Sequence, residues 1–185
     1  MIDLIISEAG EKMGKTVDAL KKELQKIRTG RASLNLLDDI RVDYYGTPTP
    51  LNQIASLSVP ESRLITIQPW DPSAVKEIEK AIMKSNLGLT PSSDGKIIRI
   101  NIPPLTEDRR KDIVKQVNKL CEEYRIAVRN IRRDANDSLK SLKKDGDASE
   151  DDVARAFDDI QKLTDEHVKQ IDDLYKGKEK EILEV

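Results

Sequence analysis

Aromatic residues are scarce in this chain, at 3% of its length, and there is a single tryptophan and a single phenylalanine. That excludes a core or a broad pocket built on aromatic rings and suits long solvated helices better than a β-sandwich. There is one cysteine, Cys121, so no disulfide can form within the chain, and a reducing compartment is expected. Cys121 itself reads as a small buried or half-buried helix residue. The one histidine, His167, leaves little material for acid–base chemistry. Walker loops, dinucleotide fingerprints and Cys/His metal spacings are missing. The acids of 145–152 and of Asp158-Asp159 lack the alternating spacing of a calcium loop. No cofactor, no metal and no catalytic residue are therefore expected. No stretch approaches the ~20 apolar residues of a membrane helix. Met1-Ile2-Asp3-Leu4-Ile5-Ile6-Ser7-Glu8 has no basic region of the kind that opens a signal peptide. The expectation is a soluble, cytoplasmic, monomeric protein with no membrane partner.

Charge is abundant: Asp, Glu, Lys and Arg make up 36% of 185 residues, for a net charge of −2. Hydrophobic periodicity organises the rest. Ile6, Ala9, Met13, Val17, Leu20, Leu24 and Ile27 recur at spacings of three and four, which predicts a helix over 1–30 that stops at Gly30. Between 31 and 104 the period shortens to two. Strands are predicted at 40–45, 54–59, 64–68 and 96–102, with a turn at 46–50 and a loop at 91–95. Asp71-Pro72 reads as a cap and first-turn proline opening a helix to about Lys84. Trp70 reads as packing between strand and helix. From Thr106 the helical period returns through Ile113, Val117, Leu120, Tyr124, Ala127 and Ile131, shifts near Ala135 and resumes at Leu142. After Gly146, Ser149-Glu150-Asp151-Asp152 opens a third helix carrying Val153, Phe157, Ile160, Thr164, His167, Ile171 and Leu174. The expected fold is α+β: a three-helix bundle from 1–30 and 105–185, with a small β/α/β domain, 31–104, inserted in it. The chain crosses between them at Thr29-Gly30-Arg31 and Pro103-Pro104-Leu105, a double crossing that predicts a hinge.

The two long helices differ in charge. Between Arg109 and Arg133 there are nine basic residues and three acids; from Asp134 onward there are nine basic residues and sixteen acids. On an ideal helix Arg110, Arg125, Arg129 and Arg132 fall within an arc of about 100°, roughly a quarter-turn from the apolar seam. Guanidinium suits bidentate phosphate contact and base stacking, which makes this stripe a candidate RNA-binding surface. Two alternatives remain open: a solvated face paired to the acidic third helix, or a helical surface for a protein partner without RNA. A helical enzyme using His167 as base is a further alternative, set against His167 as packing on its seam.

Several stretches, in order along the whole chain, carry a family resemblance. They are Ile27-Arg28-Thr29-Gly30-Arg31-Ala32-Ser33, Tyr44-Tyr45-Gly46-Thr47-Pro48-Thr49-Pro50-Leu51, Pro103-Pro104-Leu105-Thr106-Glu107-Asp108-Arg109-Arg110-Lys111, Val128-Arg129-Asn130-Ile131-Arg132-Arg133-Asp134-Ala135-Asn136 and Lys178-Glu179-Lys180-Glu181-Ile182-Leu183. Together they resemble bacterial ribosome recycling factors. The resemblance implies an L-shaped molecule that binds the 70S ribosome after peptide release. Its helical domain would lie on large-subunit ribosomal RNA, and it would split the subunits with elongation factor G and GTP, without binding DNA. It also implies Arg110, Arg129 and Arg132 as RNA contacts, with Arg28, flanking the first helix's seam beside Ile27, joining them at the Arg110 end. The departure is Leu34, where many members have proline after the Arg-Ala-Ser run, which implies a less rigid first crossing.

Overall fold

The computed structural model describes residues 1–184. By packing, these fall into two units: Met1–Gln25 with Lys111–Glu184, and Lys26–Arg110.

The first unit is helical. α1 spans Ile2–Gln25, α3 Glu107–Asp145 and α4 Glu150–Leu183, which at 1.5 Å per residue are about 36, 58 and 51 Å long. Their ends are written in the sequence. The Thr106 hydroxyl accepts from Arg109 N–H at 3.2 Å, and the Ser149 hydroxyl accepts from Asp152 N–H at 3.1 Å, each satisfying one orphan donor of the first turn. At the far end of α3, Gly146 takes φ +79°, and N–H groups of Gly146 and Asp147 return to the carbonyls of Lys143 and Leu142. Only glycine enters that left-handed turn without strain, so the helix stops there. One cluster joins all three helices: Ala9 from α1, Ala135 and Leu139 from α3, and Val153, Ala156 and Ile160 from α4.

The seam of α3 is set differently from the expectation. Ile113, Val117, Cys121, Val128, Ala135 and Leu139 are buried, whereas Leu120, Tyr124, Ala127 and Ile131 are half-buried at its edges. Two seams of different phase are expected from α3 because it packs on two helices at once. The periodicity read in the sequence followed the larger side chains and passed over the smaller Cys121 and Ala135.

The second unit holds two antiparallel sheets and a helix. β1 (Arg41–Tyr44) pairs with β2 (Thr47–Pro50), and β3 (Ala55–Glu61), β4 (Leu64–Pro69), β5 (Pro91–Ser93) and β6 (Ile98–Asn101) form a sheet in the order β3-β4-β6-β5. α2 (Val75–Lys84) buries Val75, Ile78 and Ile82 in a core with Val42, Ile65, Ile67, Ile98 and Ile100. Two strands stand where turn or loop was expected. The turn before β2 is confined to Tyr45 and Gly46, both at positive φ (50° and 79°), and Thr47–Pro50 returns along β1. Pro48 and Pro50 are tolerated because this is an edge strand, where a missing N–H costs no ladder bond. β5 is likewise an edge and begins on a proline. Trp70 does not pack between strand and helix: its side chain is exposed, and its backbone N–H donates to the Ile54 carbonyl.

α1 stops at Gln25, short of the expected Gly30. From Lys26 the chain packs with the sheet unit, and Ala32 N–H donates to the Ser62 carbonyl at 2.7 Å. The neighbouring Arg63 carbonyl accepts from Ile102 N–H at 2.8 Å. The β3–β4 turn thus ties down both passages of chain, and this tertiary anchoring overrides the helical period through Ile27. Thr29, Gly30, Arg31, Pro103, Pro104 and Leu105 all lie in the helix-free chain beyond those two bonds.

Candidate nucleic-acid interface

An exposed guanidinium on a helix binds phosphate only if the fold has not already spent its charge. The partners of each candidate arginine therefore decide the site. Arg125, Arg129 and Arg132 are all on α3, within two turns of one another, and they are in three different states.

Arg125 is committed to the fold. Its side chain is 13% exposed; Nε donates to Asp172 Oδ1 on α4 at 2.7 Å, and Nη1 to Glu122 Oε2 at 3.1 Å. Burial works against its charged form, but the hydrogen bonds to Asp172 and Glu122 and the charge of Asp172 outweigh that, and its pKa is raised. This arginine follows the alternative of a face paired to the acidic third helix.

Arg129 is half-committed. Its side chain is 47% exposed, and Nη1 meets Glu122 Oε1 at 3.4 Å, a long contact in water that holds it only loosely. Among the described residues no carboxylate pairs with Arg132: its Nη1 donates to the neutral amide oxygen of Gln161 on α4 at 3.2 Å. Gln161 in turn donates from Nε2 to Asp165 Oδ1 at 2.8 Å, which fixes the amide with its oxygen toward the arginine. Arg133 is exposed.

Arg28 and Arg110 belong to the other unit by packing. Arg28 sits past the end of α1 in helix-free chain, so it does not flank a helical seam as expected. Both residues are half-buried, and in both the Nε is buried without a hydrogen-bond partner. Leu34, at the start of a 3₁₀ turn capped by Ser33, packs against the sheet core.

Glu122, Gln161 and Asp172 were not singled out in the sequence. Glu122 was readable, being three residues before Arg125 and seven before Arg129, one face of a helix. Asp172 and Gln161 were not, because their roles depend on how α4 docks on α3.

His167 Nδ1 lies 2.6 Å from the Leu163 carbonyl one turn earlier, an acceptor that fixes the proton on Nδ1. His167→Gln is expected to leave activity within about twofold and stability within about 1 kcal/mol, since glutamine can keep a donor there; a turnover assay showing a large loss at unchanged thermal stability would restore the reading as a base. Cys121 is fully buried, and burial raises its thiol pKa; the charge of Asp172 adds to the rise and that of Arg125 opposes it, so the thiolate is suppressed. Among the described residues no group of acids, histidine and cysteine could hold a metal ion, and no helix is long and apolar enough to cross a membrane.

Comparison with known proteins bears on the whole chain. The model of the ribosome recycling factor family matches residues 20–183. A ribosome-recycling factor of Desulfosudis oleivorans is 63% identical over 185 residues, covering all of both chains, and one from a Geobacillus strain is 58% identical over the same span. A solution structure of a ribosome recycling factor superposes with a TM-score of 0.81 at 43% identity, covering 100% of this chain and 98% of that one. A second, the Thermus thermophilus (T. thermophilus) factor placed with E. coli elongation factor G on the E. coli post-termination complex, gives a TM-score of 0.67 at 48% identity over 99% of each.

Proposed function

The chain belongs to the ribosome recycling factor family, and from that premise we propose how it works: it binds the post-termination 70S ribosome in the cytoplasm through large-subunit RNA and, with elongation factor G and GTP, splits it, freeing mRNA and tRNA. The factor itself makes and breaks no bonds in this scheme. It acts as a monomer, as a helical body bearing phosphate-binding groups that elongation factor G can push.

The observation that carries the RNA reading is the pair Arg129 and Arg132, exposed or half-exposed on α3, with one guanidinium loosely paired and the other facing a neutral amide. Arg28 and Arg110 join them as RNA contacts in this reading. Arg125 does not, because releasing it would strip Asp172 of its partner. The helix-free residues Thr29, Gly30, Arg31, Pro103, Pro104 and Leu105 serve as the hinge. Gly30, at φ +86°, takes there a conformation that other residues enter only at a cost.

Post-termination complexes mixed with the protein, elongation factor G and GTP should convert to free subunits, followed by light scattering. No conversion above that with elongation factor G alone would count against the proposal.

A further inference from the structure

The charges around Arg125 do not balance in pairs. Arg125 is shared by two carboxylates, Asp172 at 2.7 Å and Glu122 at 3.1 Å. One cation cannot neutralise both, so one negative charge is left over, and the group that balances it is Arg129, 3.4 Å from the second oxygen of Glu122. Glu122 is also held in place. Its anchor, Arg125, is mostly buried and is fixed in turn from α4 by Asp172. A phosphate that arrives at Arg129 therefore meets a carboxylate already occupying that guanidinium and unable to leave with the side chain it was paired to. We propose that Glu122 is a positioning residue that competes internally with RNA phosphate for Arg129 and so limits how tightly the factor holds the ribosome.

This rests on the reading of Arg129 as an RNA contact. It assigns the carboxylate a purpose in turnover: a factor that must leave after every round needs a contact that can be reclaimed. Exposed ion pairs of this kind are weak, so the competition is modest and tunes the contact without blocking it.

The test uses the full-length protein and 70S ribosomes in a salt series, with Glu122→Gln, Arg129→Ala and the double variant. Glutamine keeps the size of the side chain and one oxygen for Arg125, while it removes the charge and turns the oxygen facing Arg129 into an NH2 donor. Glu122→Gln should bind about two- to fivefold more tightly, the effect of releasing one exposed pair. Its slope of log affinity against log salt should be steeper by up to roughly 0.7–0.9, since one more positive charge is free to displace counterions. Single-round splitting should stay as it was, while multiple-round recycling slows because dissociation slows. In the Arg129→Ala background, Glu122→Gln should change none of these. If Arg129→Ala weakens binding but Glu122→Gln leaves it unchanged or weaker, or if Glu122→Gln acts equally without Arg129, the competition is overturned and the RNA contact stands. A Glu122→Gln protein that loses its helical circular dichroism shows the carboxylate to be structural and overturns it too. If Arg129→Ala has no effect on affinity or slope, the RNA reading of Arg129 falls and the competition with it.

Discussion

Arg132→Ala is expected to abolish subunit splitting at factor concentrations that saturate the parent protein, while the fold stands. Arg132 is the arginine of α3 whose guanidinium the fold orients without neutralising: Gln161 fixes it through an uncharged amide oxygen, and Asp165 fixes Gln161. A pre-positioned, uncompensated guanidinium is the kind of group that dominates an interface, where removing one anchor costs about 2 kcal/mol or more, roughly a thirtyfold loss of affinity. Stability should change by only about 0.5 kcal/mol, because what is lost inside the protein is one charge–amide hydrogen bond at the surface. Arg132→Lys should recover part of the binding, keeping the charge but losing the planar fork. Light scattering for splitting and a denaturant titration for stability check the two halves. Normal splitting by Arg132→Ala would remove the residue from the site, and loss of the fold would make it a structural group.

Arg125→Ala should fail in the opposite way. Although it shares the arc of Arg129 and Arg132, its side chain is 13% exposed and bonded across to α4. Truncation leaves Asp172 without its partner and removes a buried aliphatic stem, for a cost of about 1–3 kcal/mol. Affinity for the ribosome, measured at a temperature where the variant is folded, should stay within about threefold of the parent, and the salt slope should not flatten. Unchanged stability together with lost affinity would return Arg125 to the RNA surface.

These two residues show where the sequence could be read and where it could not. Periodicity located the three long helices and the Asp71-Pro72 cap the short one, while Thr106, Ser149 and Gly146 marked three further ends, because a hydroxyl cap and a left-handed glycine act within a few residues of themselves. The edge strands Thr47–Pro50 and Pro91–Ser93 were hidden by prolines that argue for turns unless the strand's outer edge is known to be free. The end of α1 was hidden because bonds from Ala32 and Ile102 to the turn at Ser62 and Arg63 are long-range. The arginine stripe was legible as geometry, since one helix fixes its own faces. Its division into a clamp, a loosely held group and a free one was not, because that depends on Asp172 and Gln161 arriving from α4.

The proposed hold on ribosomal RNA is electrostatic, through a few arginines whose charge the fold leaves available. Its most direct measurement is the affinity for 70S ribosomes across a salt series. With Arg28, Arg110, Arg129 and Arg132 each neutralising a phosphate, and Glu122 offsetting up to one of them, the slope of log affinity against log salt should be on the order of −2 to −4. Replacing Arg132 should flatten it by roughly 0.7–0.9, whereas replacing the exposed Lys176 on α4 should not. A helical surface that docked on a protein partner by burying apolar seam would be nearly indifferent to salt. A slope near zero, or one left unchanged by all four arginine substitutions, would contradict the account.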